Sequence, residues 1–402
     1  MEEKMKKAFL ILEDGTVFEG THFGAEKEII SEIVFNTSMA GYLEVLTDPS
    51  YAGQAVCMTY PLIGNYGVCY EDMESRQAWP DGFIVRELSK IPSNFRCDCS
   101  LQQFMEEQGI PGIAGIDTRQ LTRILREKGT MNGCITTNEN FSYDELTPKM
   151  KAYTTGKVVE KVTCPEKYVV KGSENLEQNG PISGLSVFNK ESYEKGEREM
   201  RPSLVTELNG KGLKVALFDF GAKKNIAASL AARGCDVTVY PALTKAEEIL
   251  ADKPDGIMLS NGPGDPKDCP GVIREIKKLY DSDTTIFAIC LGHQLMALAT
   301  GADTYKMKYG HRGGNHPVKD LQTGRVYISS QNHGYVVNME KLDKTIAEPA
   351  FINVNDGTNE GLSYVGKNIF TVQFHPEACP GPQDSSYLFD RFIDMIKKGG
   401  KN

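Results

Sequence analysis

From residue 213 the chain alternates short, continuous apolar runs with amphipathic stretches. LKVALFDFG is followed by KKNIAASLAARG, CDVTVYPA by TKAEEILADK, and DGIMLSNGPGD by VIREIKKLYDSD, while TTIFAI leads through Cys290 into GHQLMALATG. Runs that are apolar at every position, not at every second one, predict strands buried on both faces; interleaved with helices, they predict a parallel sheet. Right-handed crossovers then give a doubly wound domain whose ligands bind at the carboxyl ends of the strands. Further strands are predicted at GRVYISS and IFTVQF, and a closing helix from Asp384 to Lys398. The first part of the chain reads differently. Ala8 to Leu12, a Glu13-Asp14-Gly15 turn and a strand from Thr16 predict a hairpin. Ser100 caps a helical run that Gly109 stops, and in DTRQLTRILREKG Leu121, Ile124 and Leu125 form one helix face ended by Gly129. The predicted class is α/β: a mixed α/β domain over residues 1–155, a connector over 156–212 rich in Lys, Glu, Gly and Asn, and a doubly wound, mostly parallel-sheet domain over 213–400.

Composition narrows the function classes. With 402 residues there is room for two or three domains at roughly 150 residues each. Acidic residues outnumber basic ones 54 to 45, a net charge of −9, which disfavours a nucleic-acid-binding surface. The most apolar stretch, Ile286 to Ala302, is interrupted by Gly292, His293 and Gln294, so no membrane span is expected. The opening MEEKMKKAFLILEDG has neither an apolar signal region nor an Arg-rich, acid-poor transit pattern. The ten cysteines are scattered, as in a protein of reduced thiols, and a cytoplasmic location is predicted. Cys97 and Cys99 form the one close pair; with no second pair nearby to complete a zinc site, no metal is expected.

The chemistry lies at predicted strand ends. Cys290 stands where a buried strand turns directly into a helix, the position of a nucleophile elbow with sulfur in place of oxygen. A thiol there feels the positive end of the helix dipole, which favours the thiolate. Gly292 is read as allowing the tight turn and a close substrate approach, and the N–H of Leu291 as facing an oxyanion. Among six histidines, His375 ends IFTVQF, and Glu377 shares its side of an extended segment and can orient it, so the pair is a candidate to complete a Cys-His-Glu triad with Cys290. His293 is expected to pack against the elbow instead of reaching the thiol, and His311 and His316 lack a further ligand at metal spacing. A second glycine turn, SNGPGDP at 260–266, falls on the same sheet edge and could complete an oxyanion hole. Two motifs are decoys. Gly361 to Asn368 has phosphate-loop spacing but lacks Ser or Thr at its end and runs into a strand, so a hairpin turn is predicted. Asp219-Phe220-Gly221 spells a kinase tripeptide without the companion motifs.

SNGPGDP, AICLGHQ and FHPEA resemble the three signature segments of class I glutamine amidotransferases. FNTSMAGYLEVLTDPSY (35–51), IDTRQLTRILREKG (116–129), FDFGAKKN, GHRGGNHPV and QNHGY resemble the small-subunit family of carbamoyl-phosphate synthetases, and the likeness covers nearly the whole chain. It implies Cys290 as nucleophile, His375 as general base and acid, and Glu377 as its partner. Leu291 and Gly262, with Gly264 beside them, would supply the oxyanion site, and Gln294, Asn332, Gly334 and Tyr335 would line the glutamine site. Ser50, from the first domain, would close over the substrate. Ala288 stands where the family usually has glycine, and tolerance of the extra methyl is expected. The resemblance further implies a large synthetase subunit as partner, which would bind ATP and magnesium and combine ammonia with bicarbonate to give carbamoyl phosphate for pyrimidine or arginine synthesis; this chain would need no cofactor. A free-standing thiol hydrolase of γ-glutamyl amides and a non-catalytic docking subunit are the alternatives.

Overall fold

A computed structural model describes residues 6–174, 205, 207–378 and 380–399. It divides into two compact units: residues 1–158 with 308–313, and residues 159–307 with 314–402.

The strands of the first unit are β1 (Lys7–Leu12), β2 (Val17–Gly24), β3 (Ile29–Asn36), β4 (Gln54–Met58), β5 (Leu62–Ile63), β6 (Gly82–Ile84), β7 (Glu87–Leu88), β8 (Pro111–Ala114) and β9 (Met131–Thr136). Seven of them close a barrel in the order β1-β2-β8-β6-β4-β3-β9. The predicted hairpin is β1–β2, turned by Gly15 at φ +89°, a left-handed conformation that glycine adopts without steric cost. Alternation along β1 places Ala8, Leu10 and Leu12 in one core and Ile11 in another with Leu146 and Met150. Ser100 caps the helix Leu101–Glu107 through a bond from the N–H of Gln103, and Asp117 caps Thr118–Lys128 through the N–H of Gln120. Leu121 and Leu125 are fully buried, with Ile124 packed beside them.

The second unit holds β10 (Tyr168–Val170), β11 (Lys214–Asp219), β12 (Asp236–Pro241), β13 (Gly256–Leu259), β14 (Thr285–Ile289), β15 (Thr304–Asp320), β16 (Val326–Val337), β17 (Ala347–Asn353), β18 (Asn359–Tyr364) and β19 (Ile369–Val372). They form one ten-stranded sheet ordered β10-β12-β11-β13-β14-β19-β18-β17-β15-β16. Neighbours from β12 through β19 pair in parallel. The β10, β18 and β17 pairings are antiparallel.

Both faces of the parallel part are covered. Ala216, Phe218, Ile257, Leu259, Ile286 and Ala288 meet the helices Ala246–Ala251, Pro270–Asp281 and Leu291–Ala299. The alternate residues Val215, Leu217, Met258, Phe287 and Ile289 meet Lys224–Ala232 and Tyr387–Gly399. This explains why the strands read as continuous apolar runs. Ala288 is sealed in the first of these layers, so its methyl is core volume.

Two stretches are placed by long-range pairing, the connector among them, which the pattern allows to carry a few strands. The stretch read as connector from 156 contributes the helix Val159–Val162 and the edge strand β10, which pairs Tyr168 with Val239; its remainder, 175–204 and 206, lies outside the described residues. Residues 308–313, read as part of the second domain, are grouped with the first unit: the Thr130 N–H donates to the Lys308 carbonyl and that of Thr37 to Arg312. The phosphate-loop decoy is the β18–β19 hairpin. Among the described residues no helix is long and apolar enough to cross a membrane.

Candidate active site

Four parallel strands end together: β11 at Asp219, β13 at Leu259, β14 at Ile289 and β19 at Val372. Cys290 follows β14 with φ 52° and ψ −104°, then the helix Leu291–Ala299 begins. A non-glycine residue is strained there, and the packing that holds it is tight. The Cys290 N–H donates to the Val372 carbonyl at 2.8 Å, and the side chain is only 2% exposed.

Gly292 does its work elsewhere than the pattern suggests. The left-handed turn falls on Cys290 itself, and Gly292 is needed because a Cβ there would lie 2.6 Å from the Leu259 carbonyl oxygen and 2.8 Å from that of Ser260. Its N–H instead donates to the Ser260 carbonyl at 3.0 Å, tying the elbow to the 260–264 turn. Gly262 is equally confined, since a Cβ would lie 2.3 Å from the Phe220 carbonyl oxygen and 2.8 Å from the Leu291 side chain. Gly264 takes φ +90°. Leu291, as the first helical residue, has an N–H with no intrahelical acceptor.

β19 continues as extended chain through Gln373, Phe374 and His375. The N–H of Gln373 donates to Glu360 and that of His375 to Ser330, each at 2.9 Å. Phe374 packs edge-on against Phe351 in the core. Gln373 and His375 share the opposite side by strand alternation.

His375 Nδ1 lies 2.6 Å from Glu377 Oε1. A carboxylate only accepts, so Nδ1 carries a proton, and in the neutral imidazole the lone pair is on Nε2. Nε2 is buried with no protein partner among the described residues. The same Glu377 oxygen lies 2.7 Å from Lys223 Nζ, with the two side chains 2% and 0% exposed. Burial alone would raise the Glu377 pKa, but Lys223 and His375 overcome it and hold the carboxyl down to about 2. The acid therefore stays ionised and can stabilise an imidazolium. His293, by contrast, is fully buried against Thr371 Oγ1 at 2.7 Å, and burial lowers its pKa to about 3. It is a neutral packing group under the elbow helix.

The proposed glutamine-binding residues of the second unit sit close by. Asn332 and Tyr335 belong to β16 with Gly334 between; the Asn332 carbonyl faces Cys290 Sγ at 3.7 Å. Gln294 Nε2 donates both to the Tyr335 carbonyl at 2.8 Å and to Gln373 Oε1 at 2.9 Å. With both amide hydrogens committed, its carbonyl oxygen is what Gln294 can offer a ligand. Ser50 belongs to the first unit, buried in the turn Pro49–Tyr51 with its N–H on Asp48.

The site is thus a strained cysteine, a histidine with a free ring nitrogen, a buried carboxylate and a glycine-lined turn. Residues 10–135 match the carbamoyl-phosphate synthase small chain, CPSase domain, and residues 216–395 match glutamine amidotransferase class-I. The chain is 48% identical over 387 residues to the carbamoyl phosphate synthase small chain of Clostridium perfringens, covering 96% of this chain and 99% of that protein. The chain belongs to the carbamoyl-phosphate synthase small-chain family. The small chains of Fusobacterium nucleatum and Bacillus caldolyticus are each 47% identical over 98% of this chain, covering 99% and 98% of those proteins.

Two residues of this site escaped the sequence reading. Lys223 sits in FDFGAKKN, where nothing local separates it from an ordinary lysine at a helix start. Asp219 Oδ1, accepting from the N–H groups of Gly221 and Ala222, and Asn261 Oδ1, accepting from that of Lys223, shape the turn that presents it. Gln373 did leave a signal: an amide inside the mostly apolar IFTVQF, two residues before the histidine.

Proposed function

We propose that this chain is the glutaminase subunit of a glutamine-hydrolysing carbamoyl-phosphate synthase, acting by a Cys290–His375–Glu377 triad. The observation that carries the mechanism is Glu377 Oε1, which accepts a hydrogen bond from the Nδ1–H of His375 and so leaves Nε2 to act as the base.

The Cys290 thiol gives its proton to His375 Nε2, and the thiolate attacks the side-chain carbonyl carbon of glutamine. The carbonyl electron pair moves onto oxygen, which the N–H groups of Leu291 and the Gly262 turn would hold, by resemblance to the family. As the oxyanion collapses, the C–N bond breaks and the imidazolium protonates the leaving nitrogen, giving ammonia and a glutamyl thioester. Water, deprotonated by the same Nε2, attacks the thioester and releases glutamate with the thiol restored. Gln294, Asn332, Gly334 and Tyr335 would hold the substrate's α-amino and carboxylate groups, and Ser50 would close over it, by resemblance to the family.

Ammonia is a nucleophile only while unprotonated, and in neutral water it becomes ammonium. A synthetic use calls for delivery to a second active site, which assigns the chain a large synthase subunit as partner, with ATP and magnesium bound there, in a cytoplasmic complex. The carbamoyl phosphate would serve pyrimidine or arginine synthesis.

The test is Cys290→Ser in the reconstituted two-subunit enzyme. Glutamine-dependent synthesis of carbamoyl phosphate should be abolished while synthesis from added ammonium persists. Glutamine hydrolysis surviving the substitution would exclude Cys290 as the nucleophile, and full hydrolysis indifferent to any large subunit would favour a free-standing hydrolase.

A further inference from the structure

Cys290 Sγ has a neighbour that the triad does not account for. Gln373 Nε2 lies 3.6 Å from it, and the Gln373 side chain is wholly buried. We infer that Gln373 is a further catalytic residue of glutamine hydrolysis: its amide N–H donates to Cys290 Sγ and stabilises the thiolate over both the thiol and the thioester. The inference rests on the assignment of Cys290 as nucleophile.

The orientation of the amide decides the matter, because an oxygen facing sulfur would disfavour the thiolate instead. A chain of bonds fixes it. The Tyr335 carbonyl can only accept, so the Gln294 atom 2.8 Å away is its nitrogen. That nitrogen is also 2.9 Å from the Gln373 side chain, so the Gln373 atom it meets is the oxygen. The Gln373 nitrogen is therefore the end turned to Cys290. A backbone carbonyl thus sets the polarity of a two-amide relay that ends on the nucleophile.

Strand geometry supplies the placement. Gln373 and His375 are two residues apart on one extended segment, so one side of the chain carries both the base that takes the thiol proton and the donor that receives the resulting charge. With a thiol, the S–H faces the Asn332 carbonyl at 3.7 Å and Gln373 donates to a weakly accepting sulfur. Once the proton moves to His375 Nε2, the sulfur carries a full negative charge and the same bond becomes charge-assisted. When the S–C bond forms the sulfur loses that charge, and when water cleaves the thioester the charge returns. Gln373 therefore favours both formation of the nucleophile and departure of the thiolate, and a site sealed from water makes the donor effective.

The test reads the thiolate directly, as the rate of Cys290 alkylation by iodoacetamide against pH in the full-length chain, followed by peptide mass mapping. Gln373→Leu keeps the bulk and removes the donor; Gln373→Glu keeps an oxygen toward Gln294 and places an acceptor at the sulfur. Both should move the midpoint upward by about one pH unit or more, lowering alkylation well below the native midpoint about tenfold or more, with the high-pH plateau unchanged. Hydrolysis of glutamine should fall in step at neutral pH and recover partly in more alkaline buffer. A purely structural amide would change stability and leave the midpoint in place, and an unchanged midpoint in either folded variant overturns the inference. Should the leucine variant not fold, the glutamate variant decides. Cys290→Ser separates the two claims: hydrolysis surviving in it removes the nucleophile assignment itself, whereas a dead serine variant beside unshifted Gln373 variants removes only the role of Gln373.

Discussion

Lys223 Nζ lies 2.7 Å from Glu377 Oε1, with both side chains sealed from solvent. The lysine reaches the site from the turn after β11, the glutamate from the chain beyond β19, and His375 shares the same carboxylate oxygen. A buried carboxylate between two donors stays ionised because the uncompensated alternative is expensive. The third member of the proposed triad thus depends on a residue more than 150 positions earlier in the chain.

Lys223→Met should leave Glu377 buried with only the histidine beside it. The expected loss is about 3–5 kcal/mol of unfolding free energy, with glutaminase activity falling sharply. Lys223→Met combined with Glu377→Gln should recover much of the stability but not the activity. Urea denaturation of these two variants and of Glu377→Gln alone measures the coupling, and additive losses would show that the pair does not act as one unit.

Two groups predict acid sensitivity, in windows that begin at different pH. Glu377 has a folded pKa of about 2 against an ordinary value of 4.5, so its contribution is complete above 4.5 and is lost as pH falls towards 2. His293 has a folded pKa of about 3 against 6.5, so the unfolded chain takes up the proton first and stability falls as pH drops below 6.5. Melting temperatures from pH 8 to 4 should decline from about 6.5 in the native protein. His293→Gln should flatten the upper part of that decline, and an unaltered slope would show that His293 titrates freely.

Gly292→Ala should be tolerated poorly although alanine is a better helix former. Its methyl would press on the Leu259 and Ser260 carbonyls and push the elbow away from the 260–264 turn. A destabilisation of about 1–3 kcal/mol is expected, with kcat reduced on the order of 10²-fold because Cys290 moves with the helix. Calorimetry and steady-state hydrolysis together check it, and a fully active, equally stable variant would contradict the packing.

Burial pushes the thiols of Cys134, Cys164, Cys235 and Cys269 up to about 12. Brief exposure to iodoacetamide at pH 7.5 should leave these four unmodified while Cys290 reacts, and glutamine should protect Cys290 by occupying the site. Peptide mapping gives the order of labelling directly; uniform labelling of all of them would mean that the elbow confers no special reactivity.

Much of this protein was legible locally. Strands apolar at every position, as in VALFD and TIFAI, can only be covered on both faces, and their alternation with helices dictates a parallel sheet. A cysteine where such a strand meets a helix is caught in a sharp turn at a helix N-terminus, and His375 and Glu377 lie two residues apart, close enough to be read together. What the sequence could not determine by itself was anything carried by contact between distant segments. The need for Gly292 comes from the backbone of β13, the charge of Glu377 from a lysine after β11, and the polarity of Gln373 from a carbonyl on β16. The edge strand β10 and the assignment of residues 308–313 to the first unit are likewise long-range. Local pattern fixes which side chains leave water; only the folded chain decides which buried polar groups meet, because each must find its partner wherever the topology brings one.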